Sequence, residues 1–354
     1  MIAIDGRALL ESAPGGIQTV ARELIHALLV QSRDMRVVVP TRKISQDVHA
    51  RSLIIRRSNR VALMRHALGI GEAFDDLIAR VTGVWPDVVF APTLQPLCIT
   101  RAALVLVVHD CSFFRHPSWM VGKDRWWHQL LRPRRVIEAA SAIICPSEST
   151  RQELEHFVPA VQSRIAVIPW GAPMKDEGRS SMDEVRRTGY KIDDTRYKSP
   201  YVLAIGTKHR RKNPDLLVHL NRFLAGMDPP HELVTIDPSR AISEEKKWQL
   251  LAGARALIYP SFYEGFGIPP LEAMAAGVPV IAALSSSVVE VVGNAGMLVS
   301  PYAPEQWEQI LFVVLTDLAL RQLLIARGRE RISQFSWQRC AKEVMEVLLR
   351  ESRI

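Results

Sequence analysis

The sequence has little cysteine and no long hydrophobic run, and both shortages limit the kind of protein it can encode. No apolar run approaches the roughly 18 residues that a membrane-spanning helix needs. Residues 1–5 have the pattern of a strand rather than of a secretory signal. The cysteines show no metal-ligand spacing, so we expect buried thiols in the reducing cytoplasm. There are four of them: Cys98, Cys111, Cys145 and Cys340.

The composition is that of a two-domain globular protein with a basic surface. The chain has 354 residues, of which 48% are hydrophobic and 23% charged, and its net charge is +8. Such a charge suits nucleic acid, an anionic membrane surface or phosphorylated substrates. No nucleic-acid-binding module is visible, so we expect no nucleic-acid partner. The most basic segment, residues 51–65, fits either anionic lipid headgroups or the solvated face of a helix.

Short apolar runs alternate with amphipathic segments, a pattern typical of parallel sheets covered by helices on both faces. The first set of runs ends near Pro169 and a second begins at Tyr201, with a polar stretch between them. We therefore predict an α/β fold with two doubly wound, Rossmann-like domains that face a cleft. The predicted parts are a first domain at 1–172, a linker at 173–199, a second domain at 200–334 and a returning helix at 335–354.

The most informative segment is 259–282, which predicts a strand, a glycine loop, a short helix and another strand. Pro269 and Pro270 suit a first helical turn, where backbone N–H groups lack partners. The free N–H groups of such a helix start bind anions such as phosphate. Glu264 can reach from the loop and Glu272 from one turn into the helix. Taken alone, Glu272 could equally just offset the helix dipole, and the glycines could just form a turn.

With its Glu264-x7-Glu272 spacing, this segment resembles the E-x7-E segment of family 4 glycosyltransferases, which are retaining enzymes of the GT-B fold. The resemblance implies that Glu264 contacts the donor sugar and Glu272 holds the ribose of its nucleotide. It also implies that the amides around Phe266, Gly267 and Leu271 face the sugar and diphosphate. Pro270 has no N–H to contribute there.

Two further loops carry residues that could bind the donor. His109 ends the apolar strand that starts at Ala103, where an open α/β sheet binds ligands, although a structural histidine fits there too. The family resemblance places it beside the donor sugar. The basic loop 206–214 is either a solvated loop or a phosphate site. The resemblance makes Arg211 and Lys212 the phosphate-binding pair, with Lys208 and Arg210 as additional cations.

Gly15 and Gly16 stand between the first strand and the first helix, where glycine lets a backbone approach a phosphate or simply turns the chain. The resemblance assigns them to the diphosphate and acceptor region. Ser147 is predicted to be a helix N-cap, and Glu290 is predicted to be structural.

The second domain is shorter than the family pattern. Between Tyr201 and Tyr259 there is one strand, at 231–236, where the family has a further helix and strand. Either the sheet has lost one βα unit, or 231–236 takes the place of the later strand. Both alternatives alter the pocket for the base.

We therefore expect a retaining hexosyltransferase of polysaccharide biosynthesis, using a mannose- or glucose-type nucleotide-diphosphate sugar as co-substrate and no other cofactor. The acceptor is expected to be a saccharide or a lipid-linked saccharide at the inner face of the cell membrane. Nothing resembles an Asp-x-Asp metal site, so no metal is expected. The alternative is a non-catalytic GT-B subunit with a degenerate nucleotide pocket.

Overall fold

The chain folds into two compact units, each built on its own parallel sheet. The N-terminal unit comprises Met1–Trp170 and Trp337–Ile354, and the C-terminal unit comprises Gly171–Ser336. The computed structural model describes residues 1–10, 16–32, 34–39, 52–54, 73–95, 101–120, 132–172, 200–206, 209–237 and 242–352. The predicted linker 173–199, Gly15, Lys208 and most of the basic segment lie outside the described residues.

Strands and helices alternate along both units. The strands are β1 (Ile2–Asp5), β2 (Met35–Val39), β3 (Ser52–Ile54), β4 (Val88–Ala91), β5 (Ala103–Val107), β6 (Ala142–Cys145), β7 (Ile165–Val167), β8 (Tyr201–Ile205), β9 (Glu232–Ile236), β10 (Ala256–Tyr259), β11 (Val280–Ala283) and β12 (Met297–Val299). The helices are α1 (Gly16–Gln31), α2 (Phe74–Thr82), α3 (Ser112–Arg115), α4 (Pro133–Ala139), α5 (Glu148–Phe157), α6 (Pro214–Ala225), α7 (Glu244–Gly253), α8 (Ile268–Ala275), α9 (Val288–Val292), α10 (Pro304–Thr316), α11 (Leu318–Ile332) and α12 (Trp337–Glu351).

The N-terminal unit is a seven-stranded parallel sheet in the order β3-β2-β1-β4-β5-β6-β7. Strands β1, β4 and β6 are buried along their whole length, because helices cover both faces of such a sheet. The C-terminal helix α12 belongs to this unit and packs against α1. The apolar side of α12, with Val344 and Leu348 fully buried, closes the core there.

The C-terminal unit is a five-stranded parallel sheet in the order β12-β11-β10-β8-β9. Its core lies between this sheet and helices α6, α10 and α11. Trp307 of α10 is fully buried in this core. The chain leaves β8 to form β9 on one side and returns to form β10 on the other. The switch point of this sheet is therefore between β8 and β10, where open α/β sheets bind ligands.

The strand order decides between the two readings of the shortened second domain. The common doubly wound order is 3-2-1-4-5-6. Strand β9 pairs with β8 and holds the second position, while β10 holds the fourth. The third strand and its helix are absent from the described residues, and β9 is the edge of the described sheet. The sheet has thus lost one βα unit, and 231–236 does not replace the later strand.

Part of the basic segment differs from both sequence interpretations. Residues Ser52–Ile54 form the edge strand β3, paired with β2, and not a helix face or an amphipathic surface segment. Leu53 and Ile54 have aliphatic side chains that suit a strand, and the edge of β2 provides the pairing partner. The prediction was wrong for these three residues because the arginines around them dominated the pattern.

In the described part of the chain, no single helix has both the length and the apolar character of a membrane span. One pair of segments, Pro304–Thr316 and Leu318–Glu351, has the length and apolar character of a span when the two are taken together, but the chain bends by 95° between them. Buried side chains such as Trp307 and Val344 belong to that pair.

Candidate functional site

Two loops bring charged side chains together at the switch point of the C-terminal sheet. The loop after β8 carries Arg211 and Lys212, and the loop after β10 carries Glu264. The carboxyl ends of neighbouring parallel strands share one edge of the sheet. Residues that are more than fifty positions apart in sequence therefore meet in one cluster.

Lys212 is the centre of this cluster. Its Nζ donates to Oε1 of Glu264 at 2.6 Å and to the hydroxyl of Tyr259 at 2.9 Å. Arg211 Nη1 lies 3.6 Å from the other carboxylate oxygen of Glu264. Lys212, Tyr259 and Glu264 are all buried, whereas the Arg211 side chain is 32% exposed. A carboxylate is thus held between two cations, one buried and one partly open to solvent.

The electrostatics of the cluster keep Glu264 ionised. Burial alone would raise the pKa of Glu264, but Lys212 and Arg211 outweigh it and lower that pKa to about 2. Burial lowers the pKa of Lys212, and the charge of Glu264 opposes this shift. Two cations and one anion leave the cluster one net positive charge, which favours an anionic group beside it.

The local backbone explains how Lys212 reaches this place. Gly206 follows β8 with φ +78°, a backbone conformation that residues other than glycine rarely adopt. A Cβ at Gly206 would lie 3.1 Å from Lys212 Cε, so the lysine stem passes directly over the glycine. Asn213 then caps α6 by accepting from the Leu216 N–H, and Pro214 starts the helix. The loop is therefore fixed at both ends.

Serines that follow β11 hold the glycine loop after β10. The Glu264 N–H donates to Ser286 Oγ at 2.9 Å. Ser287 Oγ is 2.8 Å from the Glu264 carbonyl and 2.9 Å from the Phe266 carbonyl, to which it donates. These bonds satisfy backbone groups that a buried loop would otherwise leave unpaired, and they fix the carboxylate-bearing residue.

Helix α8 has the predicted start and end. Gly267 at φ +107° precedes it, Pro269 and Pro270 lie in its first turn, and Gly277 at φ +73° follows it. No side chain caps its N-terminus. Pro269 and Pro270 have no N–H, so the amides that can bind an anion at this helix start are those of the residues beside them, such as Gly267 and Leu271.

Glu272 is already paired with a lysine. Lys247 of α7 places its Nζ 2.9 Å from Glu272 Oε1 and 2.7 Å from Glu244 Oε2. Glu272 and Lys247 are nearly buried, with side chains 9% and 13% exposed, whereas Glu244 is 67% exposed. Burial lowers the pKa of Lys247, but the two carboxylates outweigh it and the pKa is raised. The lysine is therefore charged.

In the N-terminal unit, His109 follows β5 as predicted. Its Nε2 is 2.8 Å from the carbonyl oxygen of Pro92, and its ring lies 5.6 Å from that of Trp170. A carbonyl only accepts, so Nε2 carries the hydrogen. Burial lowers the pKa of His109, and the Pro92 carbonyl and Asp110 oppose this only in part. The neutral ring then presents Nδ1 as an acceptor.

Other predicted residues of this unit have structural contacts. Asp110, the residue after His109, accepts from the N–H and the hydroxyl of Ser112 at 2.9 and 2.6 Å. Gly16 begins α1 and is exposed. Ser147 caps α5 by accepting from the Thr150 N–H at 3.1 Å, which confirms its predicted role. Glu290 lies in the first turn of α9 and is exposed.

Several residues of the two sites were not expected from the sequence. At the switch point of the N-terminal sheet, Asp5 is buried and bound by Arg7, with Oδ2 2.6 Å from Nη2. In the C-terminal unit, Tyr259, Lys247 and the serines after β11 were also missed. For Tyr259 the signal was its position as the last residue of a fully buried strand, where a hydroxyl needs a partner. Among the described residues, no three His, Cys, Asp or Glu side chains are grouped to hold a metal ion.

Two family models match the chain. Residues 14–175 match the model described as "Glycosyltransferase Family 4", and residues 236–331 match "Glycosyl transferases group 1". The chain belongs to family 4 of the glycosyltransferases. The second match includes Glu264, Glu272 and Lys247, and the first includes His109.

Characterised relatives are distant. An O-antigen chain mannosyltransferase B from Escherichia coli is 27% identical over 270 residues, which are 68% of this chain and 68% of that protein. An MMP alpha-(1->4)-mannosyltransferase from Mycolicibacterium hassiacum is 26% identical over 265 residues, 69% of this chain and 64% of that protein. The match thus spans about two thirds of the length of these relatives.

Solved structures show the same fold over nearly the whole chain. Sucrose-phosphate synthase from Thermosynechococcus elongatus has a TM-score of 0.73 at 19% identity, covering 99% of this chain and 98% of that one. Alr3699/HepE from Anabaena, solved in complex with UDP-glucose, has a TM-score of 0.66 at 17% identity and covers 98% and 99%. The family 4 glycosyltransferase described here has the GT-B fold.

Proposed function

We propose that the protein is a retaining hexosyltransferase that moves a mannose- or glucose-type sugar from a nucleotide-diphosphate sugar to a saccharide or lipid-linked saccharide, without a metal ion. The observation that carries the proposal is the ion-pair cluster of Lys212, Arg211 and Glu264 at the switch point of the C-terminal sheet. It lies beside a helix start with free amides, as a diphosphate site requires.

The proposed chemistry uses the positive charge of this cluster. When the bond between the sugar and the diphosphate breaks, negative charge grows on the leaving oxygen. Arg211 and Lys212, with the amides around Gly267 and Leu271, would stabilise that charge. Glu264 keeps Lys212 in position and carries the family role of contacting the donor sugar. In family 4 the leaving phosphate itself helps to remove the acceptor proton, so no separate carboxylate base is needed.

His109 would serve the donor sugar as a hydrogen-bond acceptor. Because its Nε2 hydrogen is donated to Pro92, the neutral ring can accept from a sugar hydroxyl only through Nδ1. This assigns His109 to positioning the sugar and not to donating a proton.

The names of the relatives support the choice of sugar. Both curated relatives described above are mannosyltransferases, and the Anabaena neighbour was solved with UDP-glucose. A hexose donor with GDP or UDP as its nucleotide fits both. A role in polysaccharide assembly at the cytoplasmic face of the membrane is the corresponding proposal for its place in the cell, supported by the net charge of +8.

The test is donor turnover by the purified protein. We expect release of nucleoside diphosphate from GDP-mannose or UDP-glucose above background, and transfer when a saccharide acceptor is supplied. Glu264→Gln should abolish it, and EDTA should leave it unchanged. The exposed Glu290→Gln is the matched control and should retain the activity.

One observation favours the alternative of a non-catalytic subunit: the described part of the C-terminal sheet lacks the third strand of the common doubly wound order. Turnover that Glu264→Gln removes would exclude that alternative. Nucleotide binding without any turnover of either donor would support it, and a reproducible loss with EDTA would contradict the metal-free mechanism.

A further inference from the structure

The family resemblance assigns Glu272 to the ribose of the donor, and Lys247 contacts the same carboxylate. Its ammonium contacts Oε1 of Glu272 at 2.9 Å, and the side chains belong to different helices, α7 and α8. In the described part of the chain, no hydrogen bond or ion pair engages Oε2 of Glu272. The pair therefore presents an acceptor oxygen next to a donor ammonium.

The pair comes together because α7 packs against α8. After β9 the chain passes directly to α7, and α7 contacts both β8 and α8. A lysine on α7 thereby reaches a carboxylate that is 25 positions further along the chain. The absent βα unit would otherwise contribute its own loops to this edge of the sheet.

The exposed fractions argue that the contact is more than a surface ion pair. Lys247 is 13% exposed and Glu272 is 9% exposed, whereas Glu244, the second partner of Lys247, is mostly in solvent. A nearly buried pair loses much of its hydration, so its remaining donor and acceptor positions favour a partner. A polar ligand with adjacent hydroxyls would satisfy both.

We infer that Lys247 and Glu272 together bind the 2′,3′-diol of the donor ribose, one hydroxyl donating to the carboxylate and the other accepting from the ammonium. This inference rests on the proposed function, because it needs a nucleoside diphosphate in the C-terminal unit. It assigns Lys247 as a nucleotide-binding residue that selects ribose over deoxyribose. A carboxylate alone offers only acceptors, whereas the pair offers a donor and an acceptor, as a diol does.

The test measures which ribose hydroxyl depends on which side chain. The ligands are the nucleoside diphosphate that binds the wild-type protein, GDP or UDP, and its 2′-deoxy and 3′-deoxy analogues, titrated by calorimetry. For the wild type we expect both analogues to bind about tenfold or more weakly than the parent, since hydrogen bonds to charged groups are worth about 1.5–3 kcal/mol. In Lys247→Met, one of the two penalties should disappear. In Glu272→Gln, the other should shrink.

Each penalty is the ratio of two Kd values, for the deoxy analogue and for its parent diphosphate, measured on the same variant. A partial loss of folded protein therefore does not change it. Lys247→Arg keeps a charged donor and should keep both penalties. Lys342→Met removes the same charge from an exposed site on α12 of the N-terminal unit and should behave as the wild type.

Two negative results have different meanings. If the wild type binds the diphosphate and Lys247→Met retains both penalties in full, Lys247 is only a structural partner of Glu272 and the inference is wrong, while the proposed function stands. If the wild type binds no nucleoside diphosphate, the proposed function fails and this inference fails with it.

Discussion

At the residue scale, Lys212 and Glu264 depend on each other. Both are buried, and their contact at 2.6 Å is shorter than the 3.6 Å contact between Arg211 and Glu264. The sequence left open whether the basic loop 206–214 is solvated. The structure buries Lys212, which is only 8% exposed, so its removal takes the nearer of two cations from a buried carboxylate.

The first prediction concerns this pair. Lys212→Met and Glu264→Gln should each lower the free energy of unfolding by about 3–5 kcal/mol, because each breaks a buried ion pair by removing one partner. The double variant should lose clearly less than the sum of the two. Turnover should be lost in all three, because Lys212→Met removes a phosphate-binding charge and Glu264→Gln removes the carboxylate that holds Lys212 in position. Urea unfolding and donor turnover measure the two effects, and strictly additive losses of stability would show that the residues are not coupled.

The second prediction concerns pH. The pKa of Glu264 is lowered from its ordinary value of 4.5 to about 2 in the folded protein. A lowered carboxyl pKa contributes stability that is fully present above the unfolded pKa and is lost as pH falls through the folded one. The stability advantage of the wild type over Glu264→Gln should therefore be constant above about pH 5 and shrink between pH 4.5 and 2. An advantage that stays the same down to pH 2 would contradict the ion pair.

At the scale of single elements, caps and turns fix where helices begin and end. Helix α5 begins after Ser147, whose Oγ accepts from the Thr150 N–H. Ser147→Ala should lower the free energy of unfolding of the N-terminal unit by about 1 kcal/mol, the usual cost of losing such a cap. Donor turnover should not change. Gln152→Ala, at an exposed position of the same helix, should be within about 0.5 kcal/mol of the wild type. A loss in Ser147→Ala no larger than in this control would refute the capping role.

Elements with strong local signals were predictable from the sequence. The buried strands read as short apolar runs, and α8 was marked by Pro269, Pro270 and Gly277, whose backbone requirements are local. Strand β3 was not predictable, because three residues among arginines carry no clear period and the strand depends on pairing with β2. Local chemistry therefore specified most elements, and sheet pairing specified the rest.

The candidate site was predictable only where a motif carried it. Glu264, Lys212 and Arg211 were expected from two separate motifs, and the structure brings them into one cluster. The contact of Lys247 with Glu272 joins two helices and has no local signal. It depends on the packing of α7 against α8, which no sequence pattern indicates.

At the scale of the whole molecule, the two sheets differ in what they retain. The N-terminal sheet has seven strands and the C-terminal sheet five, and the latter still has its switch point between β8 and β10. The charged cluster lies at that point, and the strand that is absent would have been at the far edge. We therefore expect the diphosphate site to be retained and the selectivity for the nucleoside to be altered.

The most direct test of this account is the melting temperature of the purified protein with UDP, GDP, ADP, TDP and CDP. A ligand that binds only the folded state stabilises it by about 2.7 kcal/mol at a hundred times its Kd. The account predicts a clear rise with at least one ribonucleoside diphosphate, and a much smaller rise with the same ligand for Lys212→Met, which lacks one of the two phosphate-binding cations. No rise with any of the five nucleotides would contradict it and indicate a GT-B subunit that has lost its donor site.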